Sequence, residues 1–226
     1  MTTKMLTRFE MESAPRPTAS VIMLHGLGAN GHDLAGVVPE LNLRGCQPMR
    51  FIFPHAPNMP VTVNGGYVMP AWYDITGTDL ISRQDVQGIQ QSELAITALV
   101  AHEIKRGIAP DHIVLAGFSQ GAAMSLHTGL RLPYAIAGII ALSGYLPLAD
   151  RFAKERSSAN AFTPIFMGHG LDDTVVIHGR GETTRNVLQS LGYTVQWHSY
   201  PTEHNITPQE LDDVSAFLRQ ILPEAP

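Results

Sequence analysis

The chain has 226 residues, 44% hydrophobic and 15% charged, with a formal net charge of −5 and a single cysteine, Cys46. This balance fits a globular protein with a sizeable core, and one cysteine excludes an internal disulfide. No Lys/Arg run is present, which argues against a nucleic-acid footprint. The N-terminal MTTKMLTRFEMESAPRPT lacks the apolar run of a signal peptide, and no window approaches the roughly 18 apolar residues of a membrane span. A cytoplasmic protein without stable membrane insertion is the expectation.

In chain order, SVIML (20–24) reads as the first buried strand and is followed by a helical stretch near 31–41. RFIFP (50–54) is the next strand, and a Pro/Gly-rich, apolar segment then runs over 54–75. That segment is too long for an ordinary connection, and long loops in compact domains are usually functional. From Gln84 to Lys105 the apolar residues Val86, Ile89, Leu94, Ile96, Leu99, Val100 and Ile104 recur at helical spacing. Strand HIVLAG (112–117) leads to a helical stretch at 119–131, and GIIALSG (138–144) and TPIFMGHG (163–170) are further strands. A helical stretch near 180–191, strand TVQWHSY (194–200) and a last helix over 208–222 complete the series. Thr207, Pro208 and Glu210 give that last helix a capping box with proline at its first position. Most of the strands are continuous apolar runs, as expected for a sheet covered on both faces. The fold class is therefore α/β: one doubly wound, mostly parallel sheet with right-handed crossovers, in a single domain over 1–226.

The chemistry centres on GFSQG (117–121). Ser119 lies where a strand turns into a helix, with glycines two residues to either side, the pattern of a nucleophile elbow. The alternative is an ordinary N-cap serine in a Gly-bounded turn. As a nucleophile, Ser119 would have the backbone N–H of Gln120 pointing at a developing oxyanion. A serine needs a base, and in this architecture the order is Ser, acid, His. Of the ten histidines, His204 lies after Ser119, in the loop YPTEHNITP between the last strand and the last helix. Asp172 and Asp173 follow the preceding strand, and spacing does not choose between them. MLHGLGANG (23–31) reads as an oxyanion loop with the Leu27 N–H as donor and His25 in a structural role. Its glycines could pass for a phosphate loop, but the acidic residue such a loop needs about twenty positions on is missing. Neither H-E-x-x-H nor a Cys pair nor histidines at i, i+4 spacing occur, so no metal or cofactor is expected.

Taken together, LHGLGANGHDL (24–34), FPHAPNMPVTVNGGYVMPAWYDI (53–75), LAGFSQGAAMSL (115–126), ALSGYLP (141–147), HGLDDTVV (169–176) and YPTEHNITPQEL (200–211) resemble the small bacterial carboxylesterases related to acyl-protein thioesterases. The resemblance implies an α/β-hydrolase fold without a large cap domain. It implies Ser119 as nucleophile, His204 as base, Asp173 as acid, and Leu27 and Gln120 as oxyanion donors. It makes 54–75 a substrate-covering loop, with Trp72 lining or gating the acyl site; the other reading of Trp72 is a core aromatic. Ala122 and Ile177 depart from the family pattern, where a third glycine and a proline often stand. Members are often dimers, so a homodimer is an expectation, though no stretch identifies an interface.

The expected activity is a serine carboxylesterase cleaving short- to medium-chain acyl esters, thioesters or lysophospholipids through an acyl-enzyme. Its partner is a small-molecule ester or an acylated substrate. Two rivals are a hydrolase of lactones or other activated acyl bonds, and a non-catalytic binding module on the same fold.

Overall fold

The computed structural model describes residues 5–77, 80 and 83–224. It opens with strand β1 (Arg8–Glu12), strand β2 (Ala19–Leu24), a short helix α1 (Gly31–Ala35) and strand β3 (Met49–Pro54). A small hairpin of β4 (Asn58–Val61) and β5 (Tyr67–Pro70) precedes the long helix α2 (Val86–Lys105). Strand β6 (Ile113–Phe118), helix α3 (Gln120–Gly129), strand β7 (Gly138–Leu142), helix α4 (Ala149–Glu155) and strand β8 (Ile165–Gly170) follow. Helix α5 (His178–Ser190), strand β9 (Val195–Tyr200) and helix α6 (Pro208–Ile221) end the chain. The strands form a seven-stranded sheet in the order β1-β3-β2-β6-β7-β8-β9, parallel except for β1, and β4 pairs antiparallel with β5 apart from it.

Alternate residues of each central strand feed two hydrophobic clusters, one on each face. Ile22, Leu24, Ile113, Leu115, Ile139 and Ala141 belong to the first, with Ile89, Ile96 and Leu99 of α2 and Met124 and Leu126 of α3. Val21, Met23, Val114, Ala116, Ile140 and Leu142 belong to the second, with Leu34 of α1 and Val214, Phe217 and Leu218 of α6. Every residue of α3 is buried. That explains its lack of amphipathic patterning: it lies between the sheet and α2, with no face left for water.

Four elements differ from the sequence reading, one of them helix α4 (Ala149–Glu155), which was not anticipated. The stretch at 31–41 is helical only to Ala35; Pro39 lacks the N–H an α-helix would need, and Val38–Glu40 forms a 3-10 turn instead. The 54–75 segment contains the β4–β5 hairpin. Strand β1 was not anticipated, because RFEME alternates charged and apolar residues and binds only the sheet edge.

Charge on this side of the sheet is organised around Glu103, a fully buried residue of α2. Its carboxylate accepts from Arg50 Nη1 at 2.8 Å, Ser20 Oγ at 2.6 Å and Arg106 Nη1 at 2.9 Å. Removing one member of a buried ion pair leaves an uncompensated charge, at a cost of about 3–5 kcal/mol. Glu103→Ala is therefore expected to lower unfolding free energy by about that amount in urea titrations, whereas Leu94→Ala, at an exposed position of the same helix, changes it by less than about 0.5 kcal/mol.

At the other end of the chain, Thr207 and Glu210 form the anticipated capping box. Glu210 Oε1 has no hydrogen-bond partner among the described residues, and burial pushes its carboxyl up to about 7. The folded chain thus keeps a proton that the unfolded chain loses near the ordinary value of about 4.3. This contribution to stability is fully present below that value and is lost as pH rises toward 7. Glu210→Gln should flatten the fall in urea midpoint over this window.

Candidate active site

The turn joining β6 to α3 is made by Ser119, whose backbone sits at φ 56° and ψ −119°. A non-glycine residue there is strained by about 1–3 kcal/mol and is held by its surroundings. A Cβ at Gly121 would collide with the carbonyl of Leu24, and a Cβ at Gly117 would collide with the backbone of Gly121. Both glycines are therefore required, since α3 starts in direct contact with β2 and with its own preceding strand. Ser119 N donates to Leu142 O at 2.8 Å, which ties the turn to the end of β7. The Ser119 side chain makes no capping hydrogen bond to α3, which removes the N-cap reading.

His204 lies between β9 and α6. Its Nδ1 is 2.6 Å from Asp173 Oδ2, and its ring lies 4.7 Å from that of Phe118, the neighbour of Ser119. Asp173 is buried in the turn after β8; its Oδ1 accepts from Val175 N and Val176 N, each at 2.8 Å. Asp172 is exposed, with its own N–H bonded to Thr202 O at 3.0 Å, and its carboxylate meets no histidine. The adjacency left open by spacing is thus separated by burial: one aspartate turns inward to His204 and the other outward to solvent.

The sequence reading did not single out His169. It is fully buried; its Nε2 lies 2.7 Å from Val176 O and 3.5 Å from Asp173 Oδ2. Burial holds its imidazole below the ordinary range, so it donates to the Val176 carbonyl as a neutral ring. The signal in the sequence was its place four residues before Asp173, at the end of an apolar run.

The loop after β2 packs on the same turn. A Cβ at Gly26 would stand 3.4 Å from Ser119 Cβ. Gly28 takes φ +76°, a conformation that favours glycine, and donates to Pro70 O at 2.8 Å, which fixes the loop to the β4–β5 hairpin. His25 accepts from Ala56 N at Nε2, 3.0 Å away, so Nδ1 carries the proton and donates to Gly26 O at 2.7 Å. Its pKa is lowered chiefly by burial, in keeping with a neutral structural ring. The N–H groups of Leu27 and Gln120 have no acceptor among the described residues. The amide of Gln120 belongs to the first turn of α3, where N–H groups lack helical partners.

Trp72 lies in the core, 2% exposed, rather than on an open surface. Its indole N–H donates to His25 O at 2.8 Å, and its carbonyl accepts from Ser92 Oγ. It borders a cavity of about 100 Å³ together with Leu6, Pro57 and Met59, whose lining includes neither Ser119 nor His204. Trp72 therefore braces the loop after β2. The side chain of Gln120 has a role that the sequence reading gave only to its backbone: Oε1 accepts from Trp72 N at 2.9 Å, and Nε2 donates to Tyr73 O at 2.8 Å. Among the described residues no three His, Cys, Asp or Glu side chains are grouped as metal ligands.

Comparison with known proteins identifies the family. The chain is 44% identical over 220 residues to acyl-protein thioesterase 1 of Gibberella zeae, covering 93% of this chain and 94% of that protein. It is 43% identical to the protein of the same name from Neurospora crassa, covering 92% and 89%. Both organisms are fungi, where the sequence reading looked to bacterial esterases. Among solved structures, Zea mays acyl-protein thioesterase 2 superposes with a TM-score of 0.81 at 27% identity, covering 94% of this chain and 98% of that one. The family model described as phospholipase/carboxylesterase matches residues 8–222. The chain belongs to the phospholipase/carboxylesterase family and has its α/β-hydrolase fold.

Proposed function

We propose that this serine hydrolase cleaves ester and thioester bonds of acylated substrates with Ser119 as nucleophile, His204 as base and Asp173 as the acid that orients it. The observation that carries the reading is the 2.6 Å contact between His204 Nδ1 and the buried Asp173 carboxylate, beside the strained turn at Ser119. The carboxylate favours the tautomer with a proton on Nδ1, which leaves Nε2 free to accept the Ser119 proton. Attack on the acyl carbonyl then places a negative charge on its oxygen, and the free N–H groups of Leu27 and Gln120 stabilise it. His204 returns the proton to the departing alcohol or thiol, and water releases the acid from the acyl-enzyme.

The strained backbone at Ser119 supports this role, because such geometry is retained where it aims a reacting atom. The substrate class is supported by the fungal relatives' name, acyl-protein thioesterase 1, and by the family's description as phospholipase/carboxylesterase. Among the described residues no helix is long and apolar enough to cross a membrane.

Two measurements test the assignment. Ser119→Ala should lower kcat for p-nitrophenyl butyrate about 10⁴-fold or more while leaving the circular dichroism spectrum intact; turnover at the wild-type rate would overturn it. Asp173→Asn should lose about 10⁴-fold in kcat, and Asp172→Asn should stay near wild type. The reverse ranking would move the acid to the other residue.

A further inference from the structure

A cavity of about 370 Å³ lies between the first turns of α5, the segment that follows β7, and the residues leading into α2. None of Ser119, Asp173 or His204 lines it. Its volume falls within the range of small-molecule sites. One wall is apolar, built from Val86 and the buried Tyr145, Leu146 and Leu148. Two guanidinium groups, those of Arg83 and Arg180, also line it.

Neither Arg83 nor Arg180 has an ion-pair partner among the described residues, although the chain as a whole carries a net charge of −5. Arg151 also borders the cavity, but Asp150 stands 4.0 Å from it and offsets its charge. Arg180 and Tyr145 line the same cavity, which sets a guanidinium beside the apolar wall. An apolar surface beside uncompensated arginines fits a ligand with a hydrocarbon body and an anionic head.

We propose that this cavity binds a medium-chain carboxylate, its head on Arg180 and Arg83 and its chain along Tyr145, Leu146 and Leu148. The cavity is tied to the reaction site by its walls. The Tyr145 hydroxyl is 2.7 Å from that of Tyr73, whose carbonyl is held by the Gln120 side chain. The segment containing Tyr145 leaves β7 directly after Leu142, the acceptor of the Ser119 N–H. Such a carboxylate has two sources: the acid released by acyl hydrolysis, or a carboxylate at the far end of a substrate's acyl group. Naming these sources rests on the hydrolase mechanism proposed above; the binding itself does not.

The test uses the full chain with Ser119→Ala, so that binding is read without turnover. Calorimetric titration should give saturable binding of octanoate, and adding Arg180→Met should weaken it about tenfold while leaving octanol unchanged. Arg83→Met should weaken octanoate in the same direction. Equal binding of octanoate and octanol, absence of saturable octanoate binding, or retained octanoate affinity in a folded Arg180→Met protein would each overturn the proposal. With Ser119 restored, p-nitrophenyl hexanoate and the mono-p-nitrophenyl ester of adipic acid separate the sources. A rise in KM confined to the adipate ester in Arg180→Met identifies the substrate's own carboxylate. Unchanged KM for both esters, with octanoate binding weakened, identifies the released acid; either result supports the site. Because octanoate binding is measured on a protein lacking the nucleophile, failure of the triad assignment would leave that titration untouched.

Discussion

The start of α3 rests directly on the end of β2, and the contact exists because residue 121 has no side chain. One missing Cβ lets the helix approach the Leu24 carbonyl, and the same approach demands glycine at 117. The intervening residue must then turn through a left-handed conformation, so Ser119 is lifted out of the strand line and held there. Much of the candidate site is arranged around this junction. The Gly26 loop abuts the serine, β7 ties down its amide, and the Phe118 ring packs at a tilt against His204.

Around the junction, polar groups are used as spacers between segments far apart in the chain. The Gln120 side chain spans to residues 72 and 73, His25 bridges its own loop to Ala56, and His169 reaches from β8 to Val176. The two imidazoles share a logic: burial keeps each neutral, one ring nitrogen donates to a carbonyl, and neither adds positive charge near the site. A neutral ring near Asp173 matters because a second cation would compete with His204 for the same carboxylate.

Much of this arrangement was legible in the sequence. Continuous apolar runs marked the five inner strands because a parallel sheet covered on both faces needs no polar alternation. Thr207, Pro208 and Glu210 marked the start of α6 because capping is a local event, complete within four residues. What depends on tertiary closure was not legible. Trp72 is internal only because Ser92, Gln120 and His25 converge on it from distant segments. Spacing alone left Asp172 and Asp173 open, because the choice depends on which way a turn rotates and only the family resemblance named Asp173, and strand β1 depends on a partner strand to give its alternating charges a purpose.

That edge strand has a consequence for how molecules meet one another. Along β1 and its neighbour, Arg8 pairs with Glu10 at 2.7 Å and Arg50 with Glu12 at 3.2 Å, while among the described residues the far side of β1 faces no further strand. A second chain adding itself there would have to cover this ladder of charge and strip its water. Such an edge resists runaway sheet extension between copies. The protein thus closes one end of its sheet with charge rather than with another layer of structure, which guards it against fibre-like association at little cost to the core.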